Sequence, residues 1–174
     1  MKLTVKELTV FGLMAALMYA SKMIMEILPN IHLIGVFVVA LTVVYRKKAL
    51  YPIYTFVLLT GAFFGFSAWW IPYLYIWTIL WGAVMLLPKN INPHIKPVVY
   101  MCLCALHGLL YGTLYAPVHI LLYGLNMKAA IAWIVAGIPW DIVHCIGNFF
   151  CGALICPIIK ALQLADNSSI KYVE

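Results

Sequence analysis

Three polar residues inside an otherwise apolar stretch are the strongest candidates for chemistry. Asp141, His144 and Asn148 follow an i, i+3, i+7 spacing, so a helix places them on one face. Gly147 and Gly152 thin the helix beside them. Asp141 is the only acid in the middle of any apolar run. An Asp one turn before a His can accept its ring N–H and fix the tautomer. That arrangement suits ligand orientation or a proton relay, and equally a polar staple between helices. Asn148, the deepest of the three, is open to the staple reading in particular. A metal site would have to recruit scattered His107 or His119, so no metal is expected.

Two aromatic stripes accompany this cluster. His107, Tyr111 and Tyr115 recur every four residues, with His119 beyond Pro117. Trp70 precedes Tyr73, Trp77 and Trp81, which also share a face. Several aromatic planes with a few polar groups suit a flat heteroaromatic ligand, although such stripes also serve as packing surface. On this reading Trp70, Tyr73, Trp77, His107 and Tyr111 supply apolar area, and the polar triplet orients the ligand. Lys22 and Glu26 lie four apart and close the outer end. A charge at bilayer depth costs roughly 2.5–3.5 kcal/mol, so the pair faces protein, a wet cavity or the interface.

The elements that must position these residues are membrane helices. Of 174 residues, 66% are hydrophobic and 9% charged, and the mean hydropathy is +1.04. About 20 apolar residues cover the ~30 Å of hydrocarbon in a bilayer. The chain therefore reads as an all-α polytopic membrane bundle of about six transmembrane helices, one domain over residues 1–174. The expected spans are 7–28, 32–45, 50–66, 72–87, 96–122 and 127–164, the last kinked at Pro139 and broken at Pro157. Pro29-Asn30 stops the first, and the run from Pro88 to His94 is the clearest loop. Lys2 and Lys6 before an apolar run imitate a signal peptide, but an uncleaved first span is the better reading.

Charge sets the orientation. Lys2, Lys6, Arg46, Lys47, Lys48, Lys89, Lys96, Lys160 and Lys171 fall on one side, and Lys128 on the other. The positive-inside rule makes the first side, and both termini, cytoplasmic. The net charge of +6 is thus topology information rather than a nucleic-acid surface. Five cysteines sit in apolar stretches without a CxxC pair and read as reduced thiols. No GxSxG, HExxH or P-loop motif occurs, so neither an enzyme nor a bound cofactor is expected. ATP-driven transport would need its ATPase on another chain.

Gly12, Ala16 and Ala20 form a small-residue row on the first span. Such a row admits close helix approach, within the chain or with a partner. Together with Pro139-Trp140-Asp141-Ile142-Val143-His144-Cys145-Ile146-Gly147-Asn148-Phe149, it resembles substrate-binding S components of energy-coupling factor (ECF) transporters. The resemblance covers nearly the whole chain. It implies a capture subunit for a vitamin or cofactor precursor in the prokaryotic cell membrane. It also implies docking through Gly12, Ala16 and Ala20 on a transmembrane coupling subunit, which works with two cytoplasmic ATPases. The site implied lies in the outer half and draws on the last three spans. An intramembrane enzyme using Asp141 and His144, and a non-transporting scaffold, are the alternatives.

Overall fold

The computed structural model describes residues 3–28, 30–88 and 90–167. The expectations for Lys2, Pro29, Lys89 and Lys171 lie outside the described residues. Among the described residues the regular structure is helical: α1 (Val5–Met25), α2 (Ile34–Tyr45), α3 (Leu50–Phe64), α4 (Tyr73–Leu86), α5 (Lys96–Leu109), α6 (Tyr111–Tyr123), α7 (Met127–Cys151) and α8 (Ile155–Asn167). Short 3-10 turns, Arg46–Ala49 and Gly152–Leu154, join α2 to α3 and α7 to α8. Among the described residues three helical stretches are long and apolar enough to cross a membrane: Val5–Met25, Lys96–Tyr123 and Met127–Asp166.

Local chemistry explains the helix ends. Thr4 and Glu7 form a capping box on α1: the Thr4 hydroxyl accepts from Glu7 N (3.1 Å), and Glu7 Oε2 accepts from Thr4 N (2.9 Å). Asn126 caps α7 by accepting from Ala129 N at 2.9 Å. Gly124 ends α6 in the left-handed conformation, φ 62°.

The centre of the molecule is α2. Its residues 34–42 are all buried, and α1, α4, α5 and α8 pack around it. At 12 residues it is about 18 Å long, well short of the hydrocarbon thickness. The sequence reads as a span over 32–45 here, and the structure buries the same apolar run at the centre of the bundle. Apolar residues on every side suit a helix that is surrounded by other helices.

Breaks in the long helices fall at places the prolines do not mark. α7 runs continuously through Pro139. The C-terminal break lies at Gly152–Leu154 rather than Pro157, which falls in the first turn of α8 where a missing N–H is harmless. A Cβ on Gly152 would sit 2.9 Å from Met101 Cα, so close approach of α5 governs this point. The 96–122 span is interrupted at Leu110, dividing α5 from α6.

Two ends of the bundle differ in charge. At one, Glu7 pairs with Lys48, Lys6 Nζ reaches Asp166 O (3.5 Å), and Arg46 Nη2 donates to Met85 O (3.2 Å). Trp81 Nε1 holds Arg46 O at 3.0 Å. Arg46 itself has φ 52° and ψ −118°, a conformation that costs a non-glycine residue of the order of 1–3 kcal/mol. The other end carries Lys22, Glu26 and the cavity described next.

Candidate functional site

A cavity of about 290 Å³ opens between the end of α1, the segment before α2, α4, α6 and α7. That is near the lower limit of ~300–1,000 Å³ for small-molecule sites. Lys22, Glu26, Tyr73, Tyr111 and His144 line it, as do His32, Asn30 and Tyr115. Five of the ten residues read from the sequence as ligand contacts are thus brought to one place.

The lining is built from ring contacts. Tyr111 lies 4.6 Å, centroid to centroid, from His144 and 5.1 Å from Tyr115. His32 packs edge-on against His144 at 4.6 Å. Tyr73 meets Trp77 edge-on at 5.6 Å, and Trp77 lies 5.9 Å from His32 and 5.6 Å from His107. Trp77 and His107 therefore back the cavity wall without lining it. His107 Nε2 is 3.1 Å from Ile76 O, which ties α5 to α4. At the rim, Lys22 Nζ sits 4.2 Å from the Phe64 ring centroid, a cation–π contact. Among the described residues no ion pair joins Lys22 to Glu26.

Four buried polar atoms of this aromatic cluster have no hydrogen-bond partner among the described residues: His32 Nδ1, Trp77 Nε1, His107 Nδ1 and His144 Nε2. Leaving such an atom unsatisfied costs about 1–3 kcal/mol. Native folds keep few of them, and a concentration beside one cavity marks groups held for something outside the chain. Two belong to residues that line the cavity, His32 and His144. Among the described residues, no set of three His, Cys, Asp or Glu side chains has the arrangement to hold a metal ion.

The remaining candidates have other partners. Asp141 Oδ1 accepts from Gly112 N at 2.9 Å, so the carboxylate serves the start of α6 and not the ring of His144. The break at Leu110 frees backbone donors there, and Asp141 satisfies one from across the helix pair. Gly112 makes room for this contact, because a Cβ would lie 2.6 Å from Asp141 Oδ2 and the carboxylate would have to shift. Asn148, fully buried, donates from Nδ2 to Cys104 O (3.3 Å) and joins α7 to α5. Trp70 Nε1 donates to Val57 O at 2.8 Å and its ring packs edge-on with Phe66, anchoring the loop before α4 onto α3.

Sequence reasoning assigned no role in the site to His32 and Asn30, because they occupy a turn outside any stripe. Tyr115 was legible as the next rung of the His107–Tyr111 stripe. Gly12, Ala16 and Ala20 are exposed on α1, whose buried side is Phe11, Met14, Ala15 and Met18. A Cβ on Gly12 would meet nothing within 4 Å.

No family model, curated protein or solved structure matches the chain.

Proposed function

We propose that this chain is a substrate-capture subunit of the ECF type: a multi-pass protein of the cell membrane that binds a small planar vitamin or cofactor precursor in the His32–His144 cavity. The observation that carries this reading is the pair of unpartnered ring nitrogens, His32 Nδ1 and His144 Nε2, in an aromatic-lined cavity at the end away from Arg46 and Lys48. With the basic end in the cytoplasm, the cavity opens outward, where an importer meets its substrate. About six crossings follow if α2, α3 and α4 each count as one beside the three long helical stretches.

Coupling and ATP hydrolysis belong to separate chains in this reading. The row Gly12, Ala16 and Ala20 supports a docking face, since all three are exposed among the described residues. Capture is favoured over intramembrane catalysis by the bond from Gly112 to Asp141, which leaves His144 without the carboxylate partner a general base would use.

Native mass spectrometry of the purified chain tests the proposal. The expected result is a co-purified small molecule, released when His32 or His144 is replaced by Ala. Losing a hydrogen bond to a buried group is worth about 1–3 kcal/mol, so calorimetry with that molecule should show each variant weakened roughly 5–150-fold. A folded His144→Ala protein with unchanged affinity would sink this site. Conversion of the molecule by the purified chain would favour an enzyme.

A further inference from the structure

A second cavity, of about 370 Å³, lies at the basic end. Arg46 and Lys96 line it, with Tyr100 and Gln163 as neutral polar neighbours, and among the described residues no carboxylate lines it. The two cations come from distant parts of the chain: Arg46 follows α2, and Lys96 starts α5. Like charges gathered beside apolar walls are unfavourable unless an anion joins them.

Arg46 is also held in place. Trp81 fixes its carbonyl, Met85 O takes one guanidinium nitrogen, and its backbone keeps a positive φ that few non-glycine residues adopt. Strain of this kind persists where the surroundings enforce it and often marks a working residue. The remaining guanidinium N–H groups form a fixed fork suited to phosphate oxygens.

The cavity does not end in water on every side. Leu87 lines it and also lines a neighbouring groove that runs along α5 past Val98, Val99, Cys102 and Leu106. Val98 and Leu106 are half-exposed or more, on a helix apolar enough to face lipid. A cationic cavity that shares the Leu87 wall with an apolar groove matches a molecule with a phosphate at one end and a hydrocarbon chain at the other. We propose that this is a binding site for an anionic phospholipid, with the headgroup phosphate between Arg46 and Lys96 and an acyl chain along α5. Basic pockets between membrane helices select such headgroups. This inference is independent of the capture reading, because it uses none of the His32–His144 cavity.

The test is native mass spectrometry of the full chain with equimolar phosphatidylglycerol and phosphatidylcholine of the same acyl chains. Phosphatidylglycerol adducts should dominate. Lys96→Gln should weaken phosphatidylglycerol about fivefold and leave phosphatidylcholine unchanged, whereas Lys128→Gln, at the start of α7, should change neither. Arg46→Gln should act like Lys96→Gln. If Arg46→Gln fails to fold, Lys96→Gln, which alters a partly exposed side chain, still decides. Millimolar inorganic phosphate should not displace the lipid, because it lacks the chain that fills the groove. Equal adducts of the two lipids, an unaffected Lys96→Gln protein, or displacement by phosphate would each overturn the proposal. So would displacement by a glutamate-rich peptide, which would assign the cavity to an acidic protein partner.

Discussion

Asp141 and Gly112 fit each other as donor, acceptor and missing side chain. The carboxylate takes the Gly112 N–H, and the absent Cβ makes room for it. Gly112→Ala should therefore destabilise the fold by about 1–3 kcal/mol, through a clash at the α6 start. Asp141→Asn keeps a carbonyl acceptor and should melt close to the wild type with ligand affinity intact. Thermal melts in detergent and calorimetry would read both; a large affinity loss in a stable Asp141→Asn protein would return this residue to the site. The sequence made Asp141, His144 and Asn148 legible as one polar face, and the helix bears that out. It did not show that the three meet different surroundings, Asp141 and Asn148 each holding a backbone group and His144 facing the cavity. Seven residues of helix span about 10 Å, so one face passes α6, the cavity and α5 in succession. The Leu110 break that gives Asp141 its partner is marked by no Pro and no Gly at the break itself.

Close packing, at the scale of helices, lies where the row of small residues on α1 does not. α5 and α7 approach through Gly108, where a Cβ would be 3.0 Å from His144 O, and about two turns away Gly152, in the 3-10 turn after α7, sits against Met101. α1 instead turns Gly12, Ala16 and Ala20 outward. Spacing of four made that row easy to read, and spacing alone could not say which side of the helix was buried. With the inward side now identified as Phe11, Met14, Ala15 and Met18, a bulky residue on the outer face should leave the isolated fold alone. Ala16→Leu should melt like the wild type and retain its co-purified ligand, yet lose uptake in cells, because the docked partner helix is held off. Unchanged uptake would remove α1 as the docking face.

For the molecule as a whole, orientation is the property that most other predictions depend on. The basic residues cluster at one end with the start of α1 and the end of α8, and the His32–His144 cavity faces the other. In a background without native cysteines, Asn30→Cys and Asn126→Cys should react with impermeant reagent from outside, and Lys47→Cys only after the membrane is opened. Labelling of Asn30→Cys from the cytoplasmic side alone would reverse the molecule and, with it, the import reading. The all-helical class was plain from composition. The number of crossings was less so, because apolar runs of 12 to 15 residues read alike whether they meet lipid or protein. α2 has a consequence for biosynthesis. A helix of 12 residues is too short to settle in a bilayer by itself, so it must enter the membrane together with α3 across the tight turn at Arg46–Ala49. Part of its surface is then closed by α8, which follows in the chain only after α3 to α7. The middle of this protein is thus made well before it is completed, and until α8 is in place that side of the core is sealed by lipid or by a helper rather than by the chain itself.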